Sequence, residues 1–179
     1  MEDIDSTVML REKLLTAGID EILAHGIKNF SLRRVAAACG ASCAAPYKHF
    51  KNKDEFIKET IFYVETKWNH LADRIISSVE DPIERISRLC VANIKFKISN
   101  PIYGMGGSSF APKITEQILE FMKSKSSDSQ SQQNTQSVIF TISALTAGTA
   151  SLITDGKLPN NRETFEILKE KLLNELCSI

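Results

Sequence analysis

Apolar residues recur along this chain at the three- and four-residue spacing of amphipathic helices. The first such segment runs from about Thr7 to His25, and Gly26 ends it. A long helix is predicted to begin at Asn52, which has Glu55 three residues later in the spacing of a capping box. The same pattern, punctuated by proline and polar residues, predicts further helices over residues 82–98, 113–125, 137–154 and 162–177.

The most informative segment lies between the first two long helices, at residues 31–56. Ser31 stands at the N-cap position of a short helix, Gly40 ends that helix, and Ser42 is predicted to cap a second short helix. Two short helices joined by a tight turn have the layout of a helix-turn-helix, whose second helix lies in the DNA major groove. The segment therefore predicts DNA binding.

The distribution of charge supports this interpretation, although the 179-residue chain has no net charge. Residues 28–58 contain seven basic and two acidic side chains, a local charge of +5, whereas residues 1–27 sum to −4. A basic block confined to the helix-turn-helix is expected of a small DNA-binding head, and a solvated helix face is the alternative. The high content of Ala, Leu, Ile, Lys and Glu favours an all-α fold.

Other function classes find little support in the sequence. The four cysteines form neither a C-x-x-C pair nor a metal-ligand spacing, and no signal peptide is evident. We therefore expect reduced thiols in a cytoplasmic protein without a metal or another cofactor. The apolar segment Val138–Ile153 has 16 residues and five Thr or Ser, too short and too polar to span a membrane. The three histidines are scattered and the glycine-rich segment 104–107 lacks a phosphate-loop lysine, so we expect no enzyme.

Residues 8–58 resemble the N-terminal domain of TetR-family transcriptional repressors. The resemblance is carried, in order and spacing, by Gly26, Ser31, Val35, Ala36, Gly40, Ser42, Tyr47, His49, Phe50 and Lys53. It implies an all-α regulator with a three-helix DNA-binding domain at residues 1–52 and a helical ligand-binding and dimerisation domain at residues 53–179. About nine helices are expected in total. The polar residues 124–137 have no apolar side chain to pack before Ser137, so we expect a disordered loop there.

The predicted DNA contacts fall into two groups. The resemblance implies that Tyr47, His49 and Lys53 bind phosphates, with Ser31 capping its helix and touching one. Base readout is sparse, because residues 42–46 offer methyl groups to thymine and few hydrogen-bonding groups, so DNA shape is expected to carry much of the specificity. Phe50 is expected to point inward. The full predicted set is Ser31, Arg33, Arg34, Ser42, Cys43, Ala44, Ala45, Pro46, Tyr47, Lys48, His49 and Lys53.

The last two helices carry features of a dimer interface, because small residues line one and apolar residues line the other. A two-fold interface would match a palindromic operator, and burial within the chain's own core is the alternative. The predicted contacts with a second copy are Thr141, Ala144, Gly148, Ser151, Phe165, Leu168, Leu172 and Leu176.

A ligand pocket is predicted among the aromatic and sulfur-containing side chains, for which core packing is the alternative. The candidates are Phe62, Trp68, Cys90, Phe96, Tyr103, Met105, Phe110, Phe121 and Phe140. With no buried acid–base cluster in view, an inducer would be small and largely apolar. The sequence thus predicts a homodimeric repressor released from its operator by such a ligand. A DNA-binding protein of the same fold without an inducer, and a helical adaptor that binds protein, remain alternatives.

Overall fold

The computed structural model describes residues 2–105, 111–125 and 130–177, and all its regular structure in these ranges is helical. Seven α-helices and one 3₁₀ turn are present, so the all-α prediction is confirmed while the count of about nine helices is too high. The helices are α1 (Glu2–His25), α2 (Leu32–Ala38), α3 (Lys53–Ser78), α4 (Pro82–Ser99), α5 (Pro112–Lys125), α6 (Gln130–Thr154) and α7 (Arg162–Cys177), with the 3₁₀ turn at Pro46–Lys48.

Local capping signals fix several of these boundaries. Ser31 has extended backbone angles and its side chain accepts a hydrogen bond from the Arg34 N–H at 3.4 Å, which confirms it as the N-cap of α2. Asn52 accepts from the Glu55 N–H at 2.8 Å at the start of α3. The Glu55 carboxylate in turn accepts from the Lys51 N–H, one residue before the cap, rather than from the Asn52 N–H of a standard capping box. The starts of α2 and α3 are therefore specified locally.

The predicted disordered loop at residues 124–137 is wrong over most of its length. Residues 124 and 125 end α5, and residues 130–137 form the first turns of α6. Residues 126–129 lie outside the described residues, as does Phe110. The polar side chains Gln133 and Gln136 are exposed, so these turns need no core contact of their own and extend the helix that the apolar residues after 137 anchor.

Two compact units divide the described residues. The first comprises Met1–Lys67 and Pro101–Gly107, and the second comprises Trp68–Asn100 and Ser108–Ile179. The division therefore falls inside α3, between Lys67 and Trp68, and not between residues 52 and 53 as the sequence predicts.

Aromatic rings and the apolar faces of α1 and α2 build the core of the first unit. Phe56 is fully buried, and its ring centroid lies 4.6 Å from that of Phe50 and 5.5 Å from that of Phe30. Leu14 and Val35 are also buried. The inward orientation predicted for Phe50 is confirmed, and it ties the segment after α2 to α3.

In the second unit α4 packs against α5, α6 and α7. Its core contains Trp68, Leu89, Ile114, Ile142 and Leu172, each almost fully buried. Residues 133–154 are, by length and composition alone, long and apolar enough to cross a membrane, and 28 % of their most apolar window is buried. Helix α6 is longer than the 16-residue apolar segment because it begins at Gln130, and core helices of soluble proteins pass the same test of length and composition. Much of the apolar surface of α6 therefore remains exposed in this structure.

Candidate nucleic-acid interface

A tight turn links α2 to the segment that follows it. Gly40 has a φ of +65°, a left-handed conformation that glycine adopts without strain. The Ala41 N–H donates to the Ala36 carbonyl at 2.9 Å, closing the end of α2. This arrangement orients the next residues as in a helix-turn-helix.

The second element of the motif is shorter than predicted. It is a single 3₁₀ turn at Pro46–Lys48, preceded by Ala45 without a side-chain cap, so the prediction that Ser42 caps a helix is wrong. The Ser42 carbonyl accepts from the Ala45 N–H at 2.9 Å, and Pro46 has no N–H to make the next α-helical bond. We call residues 42–50 the recognition turn.

The recognition turn divides its side chains between core and solvent. Tyr47 is 60 % exposed, and Lys48 is exposed with it. Ala45 and Pro46 are buried, so the predicted methyl contacts of these two residues with thymine are wrong, because the short turn packs them inward. Three more predicted DNA contacts, Ser42, Cys43 and Ala44, are exposed.

The predicted phosphate ligands stand close in sequence to the start of α3. Lys53 is the first residue of this helix and His49 precedes it by four residues, and both are partly exposed. The Lys53 ammonium lies 5.9 Å from the centroid of the Phe30 ring, which restricts its position while it remains accessible. Unpaired N–H groups at a helix N-terminus favour anions, so this end of α3 adds to the attraction for a phosphate.

One contact that was not predicted from the sequence holds the buried Phe50 ring of the recognition turn. The Arg11 guanidinium of α1 lies 5.3 Å from the centroid of the Phe50 ring. The same group pairs with Glu59 of α3 at 2.7 Å. Arg11 interrupts the apolar face of α1 near Leu10 and Leu14, and this interruption is the feature of the sequence that could have indicated the contact.

Arg34, a predicted DNA contact, has a half-exposed side chain that pairs with a buried carboxylate of the first unit. Its Nε donates to both carboxylate oxygens of Glu21, at 2.9 and 3.1 Å, and its Nη2 donates to Glu21 Oε1. Glu21 is only 8 % exposed, and the bond from the Arg34 guanidinium holds the pKa of its carboxyl below the ordinary value. Arg33, the neighbouring residue, is exposed.

The predicted ligand-pocket residues do not share one environment. Phe62, Met105 and Phe140 are exposed, at 61 %, 51 % and 74 %. Phe96 and Tyr103 are partly buried, and Phe110 lies outside the described residues. The remaining three, all buried in the second unit, are Trp68, Cys90 and Phe121.

Two buried hydroxyl groups mark the interior of the second unit. Ser87 Oγ of α4 and Thr146 Oγ1 of α6 have no oxygen or nitrogen partner among the described residues. The Cys90 thiol contacts the Thr146 hydroxyl, but a thiol is a weak hydrogen-bonding group. Burial raises the pKa of Cys90 to about 12. No group of His, Cys, Asp and Glu that could hold a metal occurs within the described part of the chain.

The predicted dimer residues separate into two sets. Ala144, Gly148 and Ser151 are exposed on α6, and Thr141 is partly exposed beside them. The four residues of α7, in contrast, are buried within the subunit: Phe165, Leu168, Leu172 and Leu176. That apolar stripe forms the core of the unit and cannot at the same time face a second copy.

Comparisons with known proteins identify the N-terminal domain. Residues 14–60 match the sequence family described as bacterial regulatory proteins, tetR family, so the resemblance to TetR-family regulators is confirmed. No curated protein is similar to this chain in sequence.

The whole chain has the TetR-like fold. A TetR family transcription regulator from Marinobacter aquaeolei VT8 superimposes with a TM-score of 0.65 at 16 % identity, covering 98 % of both chains. The fatty acid degradation regulator FadR from Bacillus halodurans gives 0.62 at 14 % identity, over 92 % of this chain and 94 % of that one. A TetR variant from Acinetobacter baumannii AYE in complex with minocycline gives 0.56 at 14 % identity, over 92 % and 93 %.

Proposed function

We propose that this protein is a homodimeric, cytoplasmic transcriptional repressor that binds a palindromic operator and is released from it by a small, largely apolar ligand. The observation that carries the DNA-binding part is the exposed Tyr47 in a turn that leads directly to the N-terminus of α3. A phenol, an imidazole and an ammonium within seven residues supply donors for successive phosphates.

Base contacts would come from the exposed part of the recognition turn. Lys48 and Arg33 are the exposed basic side chains with hydrogen bonds to offer to base edges. Ser42, Cys43 and Ala44 would add smaller contacts, including a methyl group for thymine. Discrimination between sequences would therefore depend strongly on DNA shape.

The exposed face of α6 supports the proposed dimer. Phe140, Ala144, Gly148 and Ser151 recur at three- and four-residue spacing on this face, and all four are exposed. A Cβ added at Gly148 would meet nothing within 4 Å in the subunit. Glycine destabilises a helix interior, so close approach of a second copy is a physical reason for it. On α7 the exposed Ile167 would take the place of the buried stripe.

The ligand part of the proposal is supported by the two buried hydroxyl groups. Ser87 and Thr146 would each gain a hydrogen bond from a ligand that is otherwise apolar, and the Cys90 thiol lies against the Thr146 hydroxyl. Because α3 contributes to both units, displacement of its second half would move the residues that precede it in the same helix. Ligand binding could thereby change the separation of two DNA-binding heads.

A DNA-binding measurement tests the first part. The purified protein is titrated against a duplex from upstream of its own gene and against a scrambled duplex, at several salt concentrations. We expect preference for the upstream duplex and affinity that falls steeply with salt. Tyr47→Phe removes one phenolic hydroxyl and Lys53→Ala one charge, so both should weaken binding, whereas Lys97→Ala in α4 is the matched control. Absence of binding even at low salt would refute DNA binding and favour the protein-binding adaptor.

The mass of the protein in solution tests the dimer. We expect a dimer by sedimentation equilibrium, and a monomer after Gly148→Glu, since this change places a charge in the proposed interface. Ser99→Glu, at the exposed end of α4, is the control and should leave the dimer intact. A wild-type monomer at all concentrations would refute the dimer, and a dimer that survives Gly148→Glu would place the interface elsewhere.

A further inference from the structure

Two adjacent arginines on α2 have different surroundings. Both are exposed, but no hydrogen bond or ion pair of the Arg33 side chain occurs among the described residues. The Arg34 guanidinium, in contrast, binds both carboxylate oxygens of Glu21. It also donates to the Asn29 carbonyl at 2.6 Å. The two side chains therefore have different tasks.

Glu21 connects α1 to the chain segment that begins α2. Its Oε1 accepts from the Ser31 N–H at 3.0 Å as well as from Arg34. Ser31 is itself the N-cap of α2 and accepts from the Arg34 N–H. One carboxylate thus holds the cap and the first turn of α2, while the Arg34 guanidinium holds the preceding loop through Asn29.

The short α2 helix depends on such contacts for its orientation. Seven residues are too few for a helix to be stable in isolation, so α2 keeps its direction through tertiary contacts. Its three buried residues, Leu32, Val35 and Ala36, supply packing but little directional constraint. A bidentate arginine–carboxylate pair adds fixed geometry. The recognition turn follows α2 after Gly40, so the angle of α2 sets the direction in which Tyr47 points.

We propose that Glu21 and Arg34 are positioning residues: their ion pair fixes α2 and with it the recognition turn, and Arg34 makes no contact with DNA. This inference rests on the proposed DNA binding and corrects its residue set. The charge of Arg34 is already neutralised by a carboxylate within hydrogen-bonding distance. Arg34 therefore releases no counterion from DNA, whereas an exposed arginine that binds a phosphate does.

The salt dependence of DNA binding distinguishes the two roles. We would compare Arg34→Met, Glu21→Gln and their double variant with Arg33→Met, since methionine keeps the apolar stem and removes the charge. The dissociation constant for the upstream duplex is measured over a salt series, at a temperature where circular dichroism shows every variant folded.

Arg33→Met removes an exposed, unpaired positive charge at the proposed interface and should lower the slope of log affinity against log salt, by up to about 0.9. Arg34→Met should leave the slope unchanged and weaken upstream-duplex binding about tenfold, within the range of coupling between contacting residues. Glu21→Gln, which breaks the same ion pair, should weaken upstream-duplex binding by a similar factor. The double variant should bind no more weakly than either single variant.

Three results would overturn the inference. A reduced salt slope for Arg34→Met, with unchanged affinity for Glu21→Gln, would make Arg34 a phosphate contact. Lower thermal stability of the variants without any change in affinity would make the pair a stabilising contact without a positioning role. Wild-type protein that shows no salt-dependent preference for the upstream duplex would refute the proposed function itself, and this result precedes any comparison of variants.

Discussion

A tight contact between α1 and α3 in the first unit gives the sharpest test of its packing. Gly18 of α1 is buried, and a Cβ added to it would lie 2.5 Å from Cε1 and 3.1 Å from Cζ of Phe56, and 3.0 Å from Thr60 Oγ1. Both neighbouring side chains, Phe56 and Thr60, must move, or the helices must separate, if the residue becomes alanine. Gly18→Ala therefore adds one carbon atom where α1 and α3 have no room for it.

Two opposing terms decide the effect of this change on the free energy of unfolding. Alanine is favoured over glycine in a helix interior by about 0.8–1 kcal/mol. Overpacking a well-filled core costs about 1–3 kcal/mol. Phe56 cannot move easily, because its ring lies against Phe50 and Phe30 and is fully buried. The clash should win, and we expect a net loss of about 1 kcal/mol.

Urea unfolding followed by circular dichroism measures this difference. If the Phe56 ring is the obstacle, Phe56→Leu should cost less in the Gly18→Ala background than in the wild type, since the smaller side chain relieves the clash. DNA affinity should fall as well, because Phe56 contacts the Phe50 ring behind the recognition turn. A Gly18→Ala protein as stable as the wild type, or more stable, would refute this account of the crossing.

Three further predictions concern single groups. Arg34 holds the Glu21 pKa below its ordinary 4.5, so the unfolded chain binds this proton more tightly. The stabilisation is complete above about pH 5 and is lost as the pH falls below 4.5. Between pH 7 and pH 3 the urea midpoint should therefore fall less steeply with decreasing pH for Glu21→Gln than for the wild type. Parallel curves for the two proteins would contradict this. Ser31→Ala removes a long cap bond and should cost about 0.5–1 kcal/mol in urea unfolding, and no loss would contradict the cap. At pH 8 a thiol reagent should modify exposed Cys43 quickly and buried Cys90 only after denaturation, and equal rates would contradict the burial.

Local signals in the sequence were sufficient for most helix boundaries. Pro82 begins α4 after the Asp81 cap, and Arg162 begins α7, both as predicted. These ends depend on residues within one turn of each other, so a single sequence contains the whole cause. The start of α6 was not predicted correctly. Polar residues that precede an apolar helix can either be helical or form a loop, and their composition does not decide between the two.

The candidate site was predicted less completely, for a different reason. Exposure of Tyr47 and Lys48 follows from their register in the turn. The burial of Ala45 and the pairing of Arg34 depend on groups elsewhere in the fold, and Glu21 lies thirteen residues from Arg34. Glu21 does fall on the apolar face of α1 with Leu14 and Gly18, and a lone charge on such a face needs a buried partner. That pattern could have indicated a buried ion pair of Glu21 from the sequence.

In this recognition turn, specificity must depend more on the shape of the DNA than on hydrogen bonds to base edges. Before Tyr47 its exposed residues are Ser42, Cys43 and Ala44, and none of these three can make the bidentate contacts that best separate one base pair from another. Affinity then depends on phosphate donors such as Tyr47 and Lys53, which discriminate only if the backbone of the operator has the right shape and spacing. A rigid orientation of α2 is a precondition for reading shape, because donors that pivot would fit many backbones equally well. The Glu21–Arg34 pair therefore matters more here than it would in a protein whose recognition helix makes many hydrogen bonds to bases. Loss of the pair should reduce the preference for the operator sequence more than it reduces the affinity for DNA of any sequence.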